Sequence, residues 1–292
     1  MNNMNFSRYE RQLELFGEEG QRRIRDTFVV VVGAGGIGSH VIQQLAFLGV
    51  GKLAIIDSDK VEETDLNRLI GSLQCDVAEK AKKVDAARRL VHDINPLIEV
   101  TTIPKDLIDE ESFSTIKKSH FVFGCVDNDG ARLVLTELCS AFEIPYIDTA
   151  SDIVKQGDHS ISYGGRIFLN NDKNGCLHCY GLISPQAQHD LMSDEQLKDE
   201  QSIYGVPKSL LKTGPSVVSI NGVIASLAVT EFMVSIVKLR APNRLLHYHG
   251  YRGVVNVNVD PPTSDCYYCN YIRGRKEAAD VDRYWRMKQA DK

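Results

Sequence analysis

The feature that most constrains this chain is a short apolar segment that runs into a glycine-rich loop. The segment, Phe28–Val32, is a phenylalanine followed by four valines, which is typical of a strand buried in a parallel sheet. Gly33–Gly38 follows as the loop, and Ser39–Leu48 has the pattern of a helix. A strand, a tight loop and a helix in this order predict the first unit of a nucleotide-binding α/β fold.

Three glycines of the loop have the G-x-G-x-x-G spacing: Gly33, Gly35 and Gly38. Glycine at these positions permits a tight turn, a close approach of the backbone to a phosphate, and packing of the helix on the strand. Asp57 ends the second predicted strand, Lys52–Ile56, where a carboxylate can accept hydrogen bonds from a ribose. The set predicts nucleotide binding, but a nicotinamide- or flavin-dependent oxidoreductase would satisfy it equally.

The remainder of the first half alternates between short apolar runs and helical patterns. Apolar residues recur at helical spacing from Val77 to Ile94, and Asn95-Pro96 ends this predicted amphipathic helix. Three further strands are predicted at Ile98–Ile103, Phe121–Val126 and Pro145–Ile147. A helix is predicted at Asp129–Phe142, between the last two of them. This βαβα order predicts an α/β fold with a Rossmann-like, doubly wound and mostly parallel sheet.

The second half changes to a pattern that is typical of antiparallel strands. Ile161–Leu169 and Leu245–Val259 are the predicted strands, and the second alternates valine with asparagine. Between them, Ser184–Lys212 is polar and charged, so we interpret it as a mobile surface loop. We predict one compact domain with a nucleotide-binding half, an antiparallel half, and a charged tail that is helical or disordered, at residues 8–150, 151–269 and 270–292.

The charge and the hydropathy pattern exclude some classes of protein. The chain has 34 basic and 39 acidic residues and a net charge of -5, which argues against nucleic acid or anionic membrane as the main partner. Met1–Arg11 lacks the apolar run of a signal peptide, so we expect a cytoplasmic protein. The long apolar stretch Val217–Leu239 contains Glu231, which favours a buried core helix over a membrane span.

Charged residues at four places favour ATP over a dinucleotide. Arg11 precedes the first strand, Arg68 follows the second, and Lys83 lies on the predicted amphipathic helix. Asp127-Asn128 ends a predicted strand at the carboxyl edge of the sheet, where open α/β folds bind ligands. Each residue alone fits an ordinary surface role. The ordered set fits a magnesium triphosphate, because cations neutralise phosphate oxygens and a carboxylate holds the metal.

Two C-x-x-C pairs are candidates for a metal site. They are Cys176-Leu177-His178-Cys179 and Cys266-Tyr267-Tyr268-Cys269. Two such pairs supply the four thiolates of a closed, structural zinc site. Their wide separation leaves two alternatives open, namely a redox pair and isolated buried cysteines.

Five short motifs run in order along the chain: Arg8-Tyr9-x-Arg11-Gln12, Gly33-x-Gly35-Gly36-x-Gly38-Ser39, Asp57-x-Asp59-x-Val61, Asp65-Leu66-Asn67-Arg68 and Cys125-Val126-Asp127-Asn128. Together they resemble the ThiF/MoeB/HesA family, which includes the adenylation domains of ubiquitin-activating enzymes. The resemblance extends from about Arg8 through Cys269. Two positions depart from the usual residues of the family, namely Asp65, where Asn is usual, and Leu69, where Gln is frequent. A carboxylate at position 65 would repel phosphates unless it binds metal or turns away.

The resemblance implies a role for each charged residue. Asp57 would hold the ribose, Arg68 and Lys83 the phosphates, and Asp127 magnesium and the nucleotide, while Arg11 would reach across a dimer interface into the partner subunit's site. Arg11, Arg68, Lys83 and Asp127 form the implied catalytic set. The implied nucleotide-binding set further contains Gly33, Gly35, Gly36, Gly38, Asp59, Asp65, Asn67 and Asn128. The family also places a structural zinc ion on Cys176, Cys179, Cys266 and Cys269.

The resemblance also implies the reaction. A homodimer would adenylate the C-terminal carboxylate of a ubiquitin-like or sulfur-carrier protein bound by its antiparallel half, and would release pyrophosphate. Ubiquitin-activating enzymes add a nucleophilic cysteine before the long apolar helix, but Tyr180–Tyr251 contains no cysteine, so we expect the reaction to stop at the adenylate. The alternatives are adenylation of a ribosomal peptide, a catalytically silent partner subunit, and an NAD- or flavin-dependent oxidoreductase.

Overall fold

The computed structural model describes residues 7–156, 160–172, 175–184, 215–263 and 265–290. Within these ranges, eight strands form one sheet: β1 (Phe28–Val32), β2 (Lys52–Ile56), β3 (Glu99–Ile103), β4 (Phe121–Gly124), β5 (Tyr146–Gln156), β6 (Ser160–Asn170), β7 (Leu245–His249) and β8 (Val254–Val257). Their order across the sheet is β3-β2-β1-β4-β5-β6-β7-β8. The pairs from β3 to β5 are parallel, and those from β5 to β8 are antiparallel. The predicted fold class is confirmed.

Eight α-helices accompany these strands in the described ranges: α1 (Glu10–Asp26), α2 (Gly36–Leu48), α3 (Gln74–Ala78), α4 (Lys83–Ile94), α5 (Glu110–Lys117), α6 (Asp129–Phe142), α7 (Val218–Val237) and α8 (Arg283–Ala290). Helix α6 has the predicted bounds. Helices α1 and α5 were not expected from the sequence pattern. Helix α8 lies in the charged tail, so this part of the tail is helical.

The sheet has an apolar layer on each face. Val29 and Val31 of β1 belong to the layer formed with α2, α4 and α7. Val30 and Val32 belong to the opposite layer, formed with α5 and α6. Successive side chains of a strand point to opposite faces, and both faces are covered here. This is why β1 is apolar at every position instead of alternating.

Helix α7 is long and apolar enough to cross a membrane by length and composition. It packs instead on α2, α1 and the sheet, as the predicted core helix does. Its glutamate, Glu231, is buried and receives hydrogen bonds from the Arg240 guanidinium at 2.7 Å and from the Asn243 backbone N–H at 2.8 Å. The carboxylate is therefore buried with its charge paired.

One helix and one strand that were predicted to be continuous are interrupted in the structure, so these two predictions were wrong. The helix predicted from Val77 to Ile94 is broken, because residues 79–82 lie outside α3 and α4 and Lys80 has a φ of 52°. The strand predicted at Leu245–Val259 is two strands, β7 and β8, joined by the 3-10 turn Gly250–Arg252. Gly253 completes that turn with a φ of 66°.

The remaining differences concern boundaries. The helix predicted at Ser39–Leu48 begins at Gly36, so the second half of the predicted loop Gly33–Gly38 is helical. The strand predicted at Pro145–Ile147 is the 11-residue β5, and the strand predicted at Phe121–Val126 ends at Gly124. The mobile loop predicted at Ser184–Lys212 lies outside the described residues except for Ser184. The division of the chain into halves at residues 150 and 151 stays a prediction.

Candidate functional site

The glycine loop lies at the carboxyl edge of the parallel strands, between β1 and α2. Gly33 has a φ of 91°, which favours glycine. A Cβ on Gly33 would lie 2.4 Å from the carbonyl oxygen of Cys125, and a Cβ on Gly38 would lie 1.9 Å from the carbonyl oxygen of Gly33. Gly33 is therefore required by its contact with the segment after β4, and Gly38 by the close approach of the first turn of α2 to Gly33.

The two central glycines differ in what surrounds them. A Cβ on Gly36 would lie 2.4 Å from the side-chain amide nitrogen of Asn221, a buried residue of α7. A Cβ on Gly35 would meet no described atom within 4 Å. Packing therefore explains Gly36, whereas the space beside Gly35 is open for a ligand.

Asp57 joins the end of β2 to the glycine loop. One carboxylate oxygen accepts the Ala34 N–H at 2.7 Å, and the other accepts the Asp59 N–H at 2.8 Å. Burial raises the pKa of Asp57, while the nearby charge of Lys83 acts in the opposite direction. The carboxylate is bound to the loop at Ala34, just before the N-terminus of α2, where a ribose would follow a phosphate on the helix N-terminus.

Asp65 holds two of the predicted cations together. Its side chain is only 6% exposed, and it lies 3.0 Å from the Arg68 guanidinium and 3.8 Å from the Lys83 Nζ. It also accepts the Glu62 N–H at 3.1 Å. The carboxylate that departs from the usual residue of the family therefore turns to the cations and orients them.

The break between α3 and α4 is what brings Lys83 to this cluster. The Lys83 N–H donates to the Asp59 carbonyl at 3.0 Å, and the Lys83 ammonium lies 3.0 Å from the Asp59 carboxylate. Burial alone would lower the pKa of Lys83, but Asp57 and Asp59 raise it above its usual value. Lys82 is directed elsewhere, because its ammonium donates to the Ser58 carbonyl at 2.6 Å. Lys83 is therefore a cation that Asp59 holds at the carboxyl edge of the sheet.

The cation cluster is attached to the first turn of α2. Ser39 is buried there, and its hydroxyl accepts the Ile70 N–H at 3.0 Å. Arg68 lies two residues before Ile70, and its guanidinium also donates to the Thr64 carbonyl. The segment from Asp65 to Ile70 is therefore fixed beside the helix N-terminus that follows the glycine loop. Asn67 lies in the same segment and is exposed.

Asp127 and Asn128 lie beyond the end of β4 on the same sheet edge. The Asn128 side chain caps α6 by accepting the Ala131 N–H at 2.8 Å, so one of its polar atoms has a structural role. Asp127 is exposed, and its described hydrogen bond is a long one of 3.3 Å from Asn128. A carboxylate in this setting can take up a hydrated magnesium ion.

Arg11 is not near the glycine loop of its own chain. It is an exposed residue of α1, and its neighbours Arg8 and Tyr9 bind the far ends of other helices. Arg8 donates to the Ile94 carbonyl at 2.6 Å, and the Tyr9 hydroxyl accepts from Asn95 at 3.0 Å. Tyr9 also packs on Gly49, at the end of the 13-residue α2. Such a helix is about 20 Å long, so the start of α1 lies at the opposite edge of the sheet.

The four paired cysteines form a compact cluster. The ligand atoms of Cys176, Cys179, Cys266 and Cys269 all lie within 4.8 Å of one another. Three sulfur pairs are separated by 3.5, 3.8 and 3.9 Å. Four sulfurs bound tetrahedrally at about 2.3 Å from zinc would lie about 3.8 Å apart. The donor set and its spacing therefore fit a structural zinc ion, and they contradict the alternative of isolated cysteines.

The sequence model of the ThiF family matches residues 9–268, which is most of the chain. The chain belongs to the ThiF family. The family resemblance predicted from the five motifs is confirmed.

Curated relatives of this ThiF-family chain are longer proteins. The adenylyltransferase and sulfurtransferase MOCS3 of Aedes aegypti is 26% identical over 299 residues, which cover all of this chain and 62% of the relative. The adenylyltransferase and sulfurtransferase UBA4 of Lodderomyces elongisporus is 31% identical over 192 residues, which cover 62% of this chain and 38% of the relative. The chain therefore spans less than two thirds of these relatives.

Solved structures of the Escherichia coli protein MccB have a similar fold. MccB with ATP has a TM-score of 0.66 and 22% identity, and the alignment covers 92% of this chain and 76% of MccB. MccB in complex with N-formylated MccA has a TM-score of 0.69 at the same identity, with 91% of this chain covered. At this identity the likeness concerns the fold.

The ThiF-family site contains a buried charged network that sequence analysis missed. Asp148 of β5 is 0% exposed and lies between Arg132 of α6 and Arg166 of β6. These residues are far apart in sequence and belong to no motif that we identified. They meet because β5 pairs with β4 on one side and with β6 on the other. Asp127 lies in the loop beyond the end of β4.

The three unpaired cysteines have different surroundings. Burial raises the pKa of Cys125 to about 12 and raises the pKa of Cys139 as well, so both thiols stay protonated at neutral pH. Cys125 follows β4 instead of lying on it, which corrects its predicted place. Cys75 is exposed on α3.

Proposed function

We propose that this ThiF-family chain uses ATP to adenylate the C-terminal carboxylate of a small ubiquitin-like or sulfur-carrier protein. The observation that supports this most is the cation pair, Arg68 and Lys83, which Asp65 and Asp59 hold beside the glycine loop. A dinucleotide site needs a phosphate cradle and a ribose carboxylate, and it gives no role to two further cations. A triphosphate gives both cations a role, because the negative charge of its phosphates must be neutralised.

The proposed reaction needs alignment more than proton transfer. A carboxylate oxygen of the substrate attacks the α-phosphorus of ATP, the bond to the β-phosphate oxygen breaks, and pyrophosphate leaves. A C-terminal carboxyl group has a pKa of about 3.3–3.7, so it is already ionised at neutral pH and needs no general base. The protein contributes by holding the reacting groups in line and by neutralising phosphate charge through Arg68 and Lys83.

Magnesium and zinc have separate proposed places. Asp127 would hold magnesium, which adds positive charge beside the phosphates when it is bound. Cys176, Cys179, Cys266 and Cys269 would hold zinc as a structural ion, because four thiolates leave no open coordination position for substrate. Asp57 would bind the ribose, and Gly35 leaves room for the nucleotide.

The proposed substrate class is supported by the names of the relatives. MOCS3 and UBA4 are each named as an adenylyltransferase and sulfurtransferase, which fits activation of a sulfur carrier. We propose that this chain ends its own reaction at the acyl-adenylate, because Cys125 is half-buried, Cys139 is buried and Tyr180–Tyr251 contains no cysteine. Another acceptor would then take the activated carboxylate.

The first test is ATP–pyrophosphate exchange with purified carrier proteins that end in Gly-Gly, beside free peptides of the same C-terminal sequence. Arg68→Ala and Asp127→Ala should each lower the exchange rate by about 100-fold or more, because Arg68 would neutralise phosphate charge and Asp127 would hold the magnesium ion. Lys80→Ala is the matched control, since Lys80 is exposed in the turn just before Lys83. It should exchange at the wild-type rate.

Three outcomes would contradict parts of this proposal. Undiminished exchange in Arg68→Ala or Asp127→Ala would remove the role given to that residue. Exchange with peptides alone would replace the carrier protein with a peptide substrate. Binding of NAD or flavin without any exchange would replace adenylation with redox chemistry.

A further inference from the structure

The buried carboxylate of Asp148 is bound on both sides by arginine. Its Oδ1 accepts from the Arg132 Nε at 3.2 Å and from the Tyr146 hydroxyl at 2.9 Å. Its Oδ2 accepts from the Arg166 Nη1 at 2.6 Å. The proposed function uses none of these side chains, although a buried charged group is retained only with good partners.

Arg132 extends this contact to the loop that carries Asp127. Its Nη2 donates to the Val126 carbonyl at 2.9 Å, and its Nη1 lies 3.0 Å from the Asp129 carboxylate. Val126 and Asp129 flank Asp127-Asn128 on either side. One guanidinium therefore holds both ends of the turn that presents Asp127.

Arg166 extends the contact in the other direction, to the first cysteine pair. Its Nη2 donates to the Leu182 carbonyl at 3.2 Å, three residues beyond Cys179. The Ser184 N–H then donates to the other carboxylate oxygen of Asp129, Oδ2, at 2.9 Å. The contacts thus close a ring that leads from Asp129 through Arg132, Asp148 and Arg166 to residues 182–184 and back to Asp129.

The charges of the ring are balanced, with two arginines and two carboxylates. Burial alone would raise the pKa of Asp129, but the Ser184 N–H and Arg132 hold it below its usual value. Burial alone would lower the pKa of Arg132, but Asp148 raises it. Each of the four groups is therefore held in place by contacts with its neighbours in the ring.

We propose that Asp148 is a positioning residue of the adenylation site, and that the ring fixes the Asp127 turn against the segment that leaves the first cysteine pair. The inference rests on the proposed function, because it takes Asp127 as a group that acts on the nucleotide. Asp148 touches no reacting atom and acts through Arg132. The ring also makes the position of Asp127 depend on the cysteine cluster through Leu182 and Ser184.

Asp148→Asn is the direct test, because it keeps the shape of the side chain and removes its charge. We expect kcat for pyrophosphate exchange to fall about 10- to 100-fold, as for other residues that orient a metal-binding group. We expect KM for ATP to change by less than about 3-fold, since Asp57, the glycine loop and the cation cluster lie outside the ring.

Glu137→Gln is the matched control for a structural effect. Glu137 is a carboxylate of α6 that is 1% exposed, and like Asp148 it is bound by an arginine and a tyrosine hydroxyl. Arg283 lies 2.7 Å from it and the Tyr284 hydroxyl donates to it at 2.6 Å, both from the tail. The variant should lose thermal stability as Asp148→Asn does, with kcat changed less than about 3-fold.

Amide hydrogen exchange tests the ring without any substrate. In Asp148→Asn, exchange should quicken at residues 129–131 and at Ser184, while the amides of β1 and β2 stay protected. Glu137→Gln should leave residues 129–131 unchanged. If Asp148→Asn does not fold, Arg166→Lys serves instead, because it keeps the charge beside Asp148 and loses the second donor to Leu182.

The results separate this inference from the proposed function. Equal losses of kcat in Asp148→Asn and Glu137→Gln would overturn the positioning role, and so would unchanged amide exchange at residues 129–131. If wild-type protein exchanged no pyrophosphate with any carboxylate, the proposed function would fail. Amide exchange would then still decide whether the ring fixes the turn.

Discussion

At the scale of single residues, the effect of the Asp65 charge depends on the two cations beside it, Arg68 and Lys83. In the sequence, a carboxylate beside phosphate-binding residues is expected to repel phosphate. In the structure it lies 3.0 Å from the Arg68 guanidinium and 3.8 Å from the Lys83 ammonium. The carboxylate is therefore paired with both cations, and the shared anion limits the motion of the two long side chains.

The glycines of the loop give a prediction at the same scale. Gly38→Ala should destabilise the fold by about 1–3 kcal/mol, because the added Cβ would lie 1.9 Å from the Gly33 carbonyl oxygen and the loop must shift. Gly35→Ala should change the free energy of unfolding by less than about 1 kcal/mol, since its Cβ meets no described atom.

Gly35→Ala should nevertheless weaken ATP binding, because the methyl group would occupy the space proposed for the nucleotide. Urea unfolding and titration with ATP measure the two effects separately, and each variant is the control for the other. If Gly35→Ala bound ATP as tightly as the wild type, the nucleotide could not approach that side of the loop.

At the scale of elements, the breaks in regular structure place the functional groups. The chain between α3 and α4 pairs with the segment after β2, where the Val61 N–H donates to the Ala81 carbonyl at 2.9 Å. This short extended pairing ends the helical path and sets Lys83 at the start of α4. The cysteine segments are joined in a similar way, because the Thr263 N–H donates to the Cys179 carbonyl at 2.9 Å.

Zinc content is the prediction for these segments. Native protein should contain about one zinc ion per chain, because four thiolates complete its coordination. Cys269→Ser should lose the metal and lower the melting temperature, since the ion joins the first cysteine pair to the start of the tail. Cys75→Ser should keep the metal, because Cys75 is exposed and lies outside the cluster.

Metal analysis by mass spectrometry and thermal unfolding measure both effects, with a chelator added to the wild type for comparison. Native protein that carried no zinc and unfolded at the same temperature with or without chelator would show that the cluster is not a zinc site.

At the scale of the whole molecule, the parallel strands place Arg11 and the glycine loop at opposite edges of the sheet. Tyr9 packs on Gly49 at the far end of α2, and the glycine loop is at its beginning. The proposed role of Arg11 therefore requires a second copy of the chain. We propose that the active form is a homodimer in which each chain supplies Arg11 to its partner.

Mixing two inactive variants tests this arrangement. Arg11→Ala and Lys83→Ala should each be inactive alone, because every site lacks one cation. After unfolding and refolding together in equal amounts, half of the dimers are mixed and each mixed dimer has one intact site, so about a quarter of wild-type exchange should return.

Mixing Lys83→Ala with Arg68→Ala is the matched control, because both residues belong to the same chain's site. That mixture should recover nothing. If the Arg11→Ala mixture also stayed inactive while the wild type refolded with full activity, Arg11 would not act across an interface.

Local patterns in the sequence were sufficient for the central elements. The apolar run of β1 and the glycine spacing each depend on neighbours within a few residues, so the predictions made from them were correct. Helices α1 and α5 were missed, although α5 carries an N-cap in Asp109, which accepts the Glu111 N–H at 2.9 Å. The capping residue of α5 is therefore a local signal in the sequence.

The sequence by itself determined the fold class, the family and the four cysteines, because each depends on residue types at fixed spacing. Only the tertiary structure decided that Asp65 binds the cations, that Arg11 lies far from its own glycine loop, and that Asp148 joins Arg132 to Arg166. These contacts join residues that are distant in the chain or that face each other only after it bends. Their geometry depends on strand order and helix packing, which no local pattern records.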